Sequence, residues 1–438
     1  MACAYYLAVH QGVEDILLVD AGMPLSLTSD KSTECYRNWW PGPGNAMVQM
    51  MNRSIDLIEE LARENGNLFN LNRRGYLYVT LSPERVPVLD GFAEEASALG
   101  AGEIRRHSRM DGAYRTSPAE GFEDIPGGAD LILSKEILSK YFPYLSGEAA
   151  AALHVRRAGW LSAQQYGMYM LEQARQHGVS LIQDRVTALG LSGGKVHTVQ
   201  LAGGSEISTS VFVNAAGPML AEVGQMLGVD IPVINELHLK AAINDSGAVL
   251  PRQAPVVIFA DEQELAWSEE EREYLSAEED TRWLTEVLPS GAHTRPEGGL
   301  QAGSILLLWD THNQPVDPVF PLPDDPMYAE LAVRGISKLI PGMQNYVTRM
   351  PKPYLDGGYY TKTRENRPLA SPLPVEGAYV IGAMSGYGIM ASAGLGELAA
   401  KYICGDHLPG YAPAFNMERY NHPDYQALLD NWGDSWQL

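Results

Sequence analysis

Asp20 closes a short apolar run, Ile16-Leu17-Leu18-Val19, that follows an alanine-rich helical stretch from Met1 to His10 and a turn at Gly12. A helix, a tight turn, a buried strand and a terminal acid, in that order, form the second half of a dinucleotide-binding βαβ unit. In such a unit the acid accepts hydrogen bonds from a ribose. Near the other end, Ser385-Gly386-Tyr387-Gly388 joins a strand over Gly377–Ala383 to a helix over Ile389–Cys404. A glycine turn opening a helix offers unpaired N–H donors and the positive end of a dipole. These suit an anion, or a ring carbonyl that becomes anionic on reduction. Tight helix–strand packing explains the same small residues about as well. A third stretch, Thr28-Ser29-Asp30-Lys31-Ser32-Thr33, carries hydroxyls, a lysine and backbone donors that fit phosphate oxygens or a polar heterocycle, and equally fit a capping loop. The G-x-G-x-x-G turn that should precede the first helix is not in the sequence. The expectation is a reading frame that starts upstream.

The elements that must position these residues read as α/β. The pattern predicts a helix over Met47–Glu64, a strand over Arg74–Thr80, a helix over Ala163–His177 closed by Gly178, and a strand at Ser180-Leu181-Ile182. Hairpin-like runs surround Gly193-Gly194 and Gly203-Gly204, and Val211-Phe212-Val213-Asn214 is a buried strand ending in the small residues Ala215-Ala216-Gly217. Between Pro232 and Tyr354 the texture changes to strand-like runs (Glu236–Ile243, Val256–Ala260, Ser304–Asp310), an acidic helix over Ser268–Leu288 and proline-rich loops. This reads as an inserted antiparallel sheet with helices. With 438 residues, 45% of them hydrophobic and 20% charged, the chain is globular and large enough for two or three domains. A formal charge of −22 argues against nucleic acid and anionic membranes as partners. Three scattered cysteines, no membrane-length apolar run and no basic leader point to a cytoplasmic protein without a disulfide framework. The ten histidines lack metal-ligand spacing, and no G-x-S-x-G nucleophile elbow occurs.

Taken in order, these segments resemble the D-amino-acid oxidase, sarcosine oxidase and glycine oxidase family of FAD enzymes. The resemblance is clearest at Gly358-Tyr359-Tyr360-Thr361-Lys362-Thr363-Arg364-Glu365-Asn366-Arg367-Pro368, followed by Ser385-Gly386-Tyr387-Gly388-Ile389-Met390. It implies an FAD-binding Rossmann-like domain, lacking its first strand, over residues 1–80, 151–232 and 353–408. An inserted α+β antiparallel-sheet substrate domain would take 81–150 and 233–352, and residues 409–438 would form a tail. By resemblance, Asp20 and Ala21 would sit at the adenosine ribose, and Ser29, Lys31, Ser32 and Thr33 beside the pyrophosphate and flavin. Val186 would meet adenine, Ala216 and Gly217 would line the cofactor channel, and Gly386, Tyr387, Gly388, Ile389 and Met390 would face the flavin N1–C2 side. Gly358 stands where some members attach flavin through cysteine, so the FAD would be non-covalent.

The implied reaction is oxidation of a C–N bond in an amino acid or a secondary or N-methylated amine, with hydride passing to flavin N5 and the imine hydrolysed by water. The electron acceptor is then dioxygen or another carrier. Arg37 is the candidate for a substrate carboxylate and Tyr360 for a contact above the ring. His238 and Lys240 alternate on one strand and share a face. Facing the flavin, they would set amine protonation or assist oxygen reduction; otherwise they are basic residues on an exposed sheet. Trp39, Trp40 and Trp309 are expected to form an apolar amine pocket, or else to sit in cores. The competing readings are a same-fold flavoenzyme acting on the C–O bond of a hydroxy acid, and a remnant unable to hold FAD.

Overall fold

The computed structural model describes residues 1–311 and 314–432. Its largest element is a nine-stranded mixed sheet. Taken across the sheet, the strands are Tyr354–Lys362, Ile234–Asn244, Ser304–Leu308, His293–Glu297, Val256–Phe259, Tyr76–Thr80, Ala151–Val155, Ala129–Ile132 and Ile104–His107. Neighbours are antiparallel except at two places, where Val256–Phe259 runs parallel to Tyr76–Thr80 and Ile104–His107 parallel to Ala129–Ile132. The inserted sheet is therefore mixed rather than purely antiparallel. It also draws in strands from segments assigned by sequence to the nucleotide-binding layer, namely Tyr76–Thr80, Ala151–Val155 and Tyr354–Lys362. The alternation of the central strands explains the position of this sheet. Leu77, Val79, Val257 and Phe259 face a core with the helix Tyr328–Ser337, while Tyr76, Tyr78, Val256 and Ile258 face the other way.

The Rossmann-like layer is present in two pieces. Leu17–Asp20 pairs in parallel with Ser180–Gln183, and Phe212–Asn214 pairs in parallel with Ala378–Gly382. No hydrogen-bonded ladder joins the two pieces among the described residues, so Leu17–Asp20 and Phe212–Asn214 each keep one unpaired edge. The first helix, Ala2–Tyr5, continues as a π turn over Tyr6–His10. It packs on the long helix Gly388–Cys404 so closely that a Cβ on Gly396 would lie 2.8 Å from that of Ala2. The same long helix crosses Ala46–Glu64 at Gly394, whose N–H donates to the Ser54 hydroxyl at 3.0 Å. The acidic helix is shorter than its sequence pattern. It runs from Glu269 to Ala277 behind a Ser268 capping box, and a separate turn follows at Arg282–Thr285.

Candidate active site

The hydroxyl-rich segment is a single helical turn, Thr28–Lys31, lying on the strand Tyr354–Lys362. Thr28 Oγ1 donates to the Tyr359 carbonyl at 2.8 Å. Gly358 permits that approach, since a Cβ there would lie 2.9 Å from the Thr28 Cα. Lys31 pairs with Asp356 at 2.9 Å and with Asp30 at 3.3 Å. Its ammonium thus holds the turn to the strand. Ser29 is exposed, and the Ser32 hydroxyl accepts from the Glu34 N–H, so neither side chain points into the cavity described below. Lys240 donates to the Asp30 and Ser32 carbonyls at 3.1 and 3.2 Å, and burial lowers its pKa. It stitches the inserted sheet to this loop.

Beyond the turn, Cys35–Arg37 pairs with Ala158–Trp160 and brings Arg37 to the wall of a cavity. Thr33, Arg37, Tyr76, Asp310, Tyr360 and Gly386 contribute to this cavity, and Tyr387 and Met390 close one side. Sequence-distant stretches near both ends of the chain therefore meet here. The Arg37 guanidinium lies 4.5 Å from the Trp40 ring centroid, and its Nε donates to the Trp39 carbonyl at 3.2 Å. Trp40 meets Tyr387 edge-on at 4.9 Å. The three tryptophans do not share a pocket. Trp309 is buried in the other core, donating to the Pro289 carbonyl, and Trp39 faces a separate cleft.

His238 does not reach the cavity. It lies behind Tyr360, with the rings stacked at 3.8 Å and 13°. Its Nδ1 meets Asp310 at 2.6 Å and its Nε2 meets Glu236 at 3.3 Å, while Glu236 also pairs with Lys362 at 2.7 Å. Burial opposes the charge on His238, but the Asp310 and Glu236 carboxylates outweigh it and raise its pKa to about 9. His238 is therefore an imidazolium at neutral pH, in a quartet whose formal charges cancel. Sequence reasoning missed Asp310 and Glu236. The only signal for Glu236 was its place two residues before His238 on the same strand face, and none marked Asp310. Because the folded pKa lies above the ordinary 6.5, the stability from this group is complete below about pH 6.5 and is lost as pH rises through 9. We expect about 3 kcal/mol of unfolding free energy to disappear over that span, and His238→Gln to flatten the slope, in urea titrations at stepped pH.

The helix Gly388–Cys404 points its N-terminus at the cavity side where Gly386, Tyr387 and Met390 sit. In a helix of 17 residues the N–H groups of Gly388, Ile389 and Met390 have no intrahelical acceptor. The residues expected at the nucleotide end stand apart from the cavity walls. Asp20 is exposed at the end of its strand, and its Oδ1 accepts from the Gly22 N–H at 2.9 Å next to Ala21. Val186 opens the strand Val186–Ser192, opposite Leu201. Ala216 donates to Asn214 Oδ1 at 3.3 Å, and Gly217 has φ +58°, turning the chain after the strand.

This pairing of a parallel α/β layer with a large mixed sheet, over a cavity that both ends of the chain wall, is the fold of a two-part flavin-type oxidoreductase. Solved structures share it. L-proline dehydrogenase from P. horikoshii superimposes with a TM-score of 0.71 at 18% identity, covering 96% of this chain and 94% of that one. Glycine oxidase from Geobacillus kaustophilus gives 0.71 at 15% identity, with 95% of each chain covered. Iminodiacetate oxidase from Chelativorans sp. BNC1 gives 0.68 at 15% identity, again with 95% of each covered. Among curated proteins, none matches the sequence significantly. The model of the FAD dependent oxidoreductase family, DAO, matches residues 1–402, and the chain belongs to that family. It is thus an oxidoreductase whose cofactor is FAD.

The residues present fit that cofactor at its ring end. A Cβ on Gly386 would lie 2.7 Å from Tyr360 Cζ, so the glycine lets the Tyr360 ring pack directly on the turn that opens the helix and lines the cavity. The adjoining helix N-terminus supplies donors for negative charge. Among the described residues no cluster of His, Cys, Asp and Glu could hold a metal ion, and no helix is long and apolar enough to cross a membrane.

Proposed function

We propose that this chain oxidises the C–N bond of an amino acid, or of a secondary or N-methylated amine, with non-covalent FAD. The observation that carries the reading is the meeting of Arg37, Tyr360, Asp310 and the N-terminus of the helix Gly388–Cys404 around one cavity. When bound, FAD supplies the acceptor for the hydride leaving the carbon beside nitrogen, and the imine product is hydrolysed by water. Arg37, 3% exposed and stacked on Trp40, holds the substrate carboxylate with a guanidinium already fixed in place.

Asp310 faces the cavity, and although burial raises its pKa, His238 outweighs that and keeps the carboxyl below its ordinary range. It accepts a hydrogen bond from the amine N–H and orients the nitrogen. Tyr360 forms the wall that sets the substrate's depth, with His238 as a positioning residue behind it. Gly386 and the N–H groups of Gly388, Ile389 and Met390 would hold the ring of bound FAD on the side where negative charge accumulates, with donors in place before the reaction begins. Thr33 bounds the same cavity from the opposite loop. Asp20, Ala21, Val186, Ala216 and Gly217 remain our assignment for the nucleotide half, supported by the two parallel strand pairs.

Anaerobic mixing of the FAD-loaded protein with a panel of primary, secondary and N-methyl amino acids tests this reading. We expect the oxidised flavin band to bleach with at least one amine. Bleaching by hydroxy acids alone, or a protein that takes up no FAD, overturns it.

A further inference from the structure

A second cleft opens beside the first. Trp39, Val88, Leu89, Phe92 and Ile258 give it mainly carbon walls. Ile258 lines both spaces, and the rings of Tyr76 and Tyr78, one lining each, are 6.2 Å apart. The two spaces therefore follow one another along the same sheet face. Arg85 also reaches the cleft, but Asp261 pairs with it at 3.4 Å, so the wall offers no uncommitted charge to an anionic group. Tyr78 supplies a different kind of signal. It is 8% exposed, and its hydroxyl is buried without a hydrogen-bond partner among the described residues. A buried hydroxyl left unpaired is unfavourable, and a ligand atom reaching it would relieve that penalty.

We propose that this cleft is the side-chain pocket of the substrate, and that the oxidised amine carries a ring-sized apolar group with a hydrogen-bonding atom near its far end. The inference rests on the amine-oxidation reading for its chemistry and on the cleft for its specificity. With the carboxylate at Arg37, the substituent passes Ile258, which lines both spaces, and covers Val88 and Phe92, which a small amine would leave wet. The Tyr78 hydroxyl then meets an N–H or O–H on the ring. The helix Val86–Ala96 contributes Val88, Leu89 and Phe92 to the cleft, and Val88, 41% exposed, stands where a larger side chain would enter it without displacing the core.

Calorimetric titration of the full-length FAD-loaded protein with acetate, phenylacetate and indole-3-acetate tests the pocket without any turnover. We expect both ring acids to bind at least about tenfold more tightly than acetate, as burial of a ring predicts. Val88→Trp should erase that advantage, and Tyr78→Phe should weaken indole-3-acetate about fivefold while leaving phenylacetate little changed. In turnover, Val88→Trp should lower the ratio of kcat/KM for ring-bearing over methyl-bearing amino acids at least tenfold. Equal binding of the three acids, or a Val88→Trp protein that keeps the ring preference, overturns the proposal. The two readings fail separately. Ring acids that bind while no amine bleaches the flavin would leave the pocket standing and end the reaction assignment, and small amines that bleach it without ring-acid binding would do the reverse.

Discussion

Gly386→Ala is expected to slow flavin reduction by at least a hundredfold while leaving the fold intact. The new Cβ would overlap the Tyr360 ring, 2.7 Å from Cζ and 3.0 Å from the hydroxyl oxygen. Tyr360 cannot retreat, because His238 is stacked against its other face at 3.8 Å and is itself held by Asp310 and Glu236. The turn cannot retreat either. The Ser385 N–H donates to the Thr361 carbonyl at 2.8 Å, and the Tyr387 hydroxyl donates to the Asn366 carbonyl at 2.9 Å. The strain is thus passed to the groups that bound the reaction site, where a displacement of about 1 Å costs on the order of a hundredfold. Stopped-flow reduction under anaerobic conditions measures the effect. A Gly386→Ala protein that reduces at the unmodified rate would show that this contact does not shape the site.

Glu365→Ala carries the largest expected loss of stability, about 3–5 kcal/mol. Glu365 is 2% exposed, and its Oε1 accepts from Arg419 Nη2 at 2.8 Å and Nε at 3.1 Å, from Tyr420 at 2.8 Å and from Tyr425 at 3.0 Å. Removing the carboxylate leaves the Arg419 guanidinium, 4% exposed, buried without its counter-charge. The segments Met417–Asn421 and Pro423–Asp430 should then detach first. Urea unfolding gives the free energy, and limited proteolysis shows cleavage near Tyr420 and Tyr425 before the rest of the chain. A loss below about 1 kcal/mol would mean that the neighbouring carbonyls satisfy Arg419 unaided.

Signals that were local in the sequence gave the elements they promised. The alternation of Ile234–Asn244, the helix closed before Gly178 and the glycine turn at Gly386 each depend on residues a few positions apart, so one stretch of chain is enough to read them. The site partners depend on pairings between distant stretches. Asp310 reaches His238 because Ser304–Leu308 lies antiparallel to Ile234–Asn244, with Leu307 opposite Ala241, a register no local pattern encodes. Lys31 looked free because Asp356 lies more than three hundred residues away. The acidic stretch Ser268–Leu288 kept helical composition throughout, yet Glu278 takes an extended conformation and ends the helix at Ala277. Trp39, Trp40 and Trp309 share a residue type and not a location, since burial alone does not say which core receives a ring.

The divided parallel layer has a mechanical consequence. Opening a strand inside the nine-stranded sheet breaks ladders on both sides, whereas Leu17–Asp20 and Phe212–Asn214 are each tethered by a single neighbour. The backbone N–H and C=O groups along the free side of each are the places where a further strand of the layer would pair.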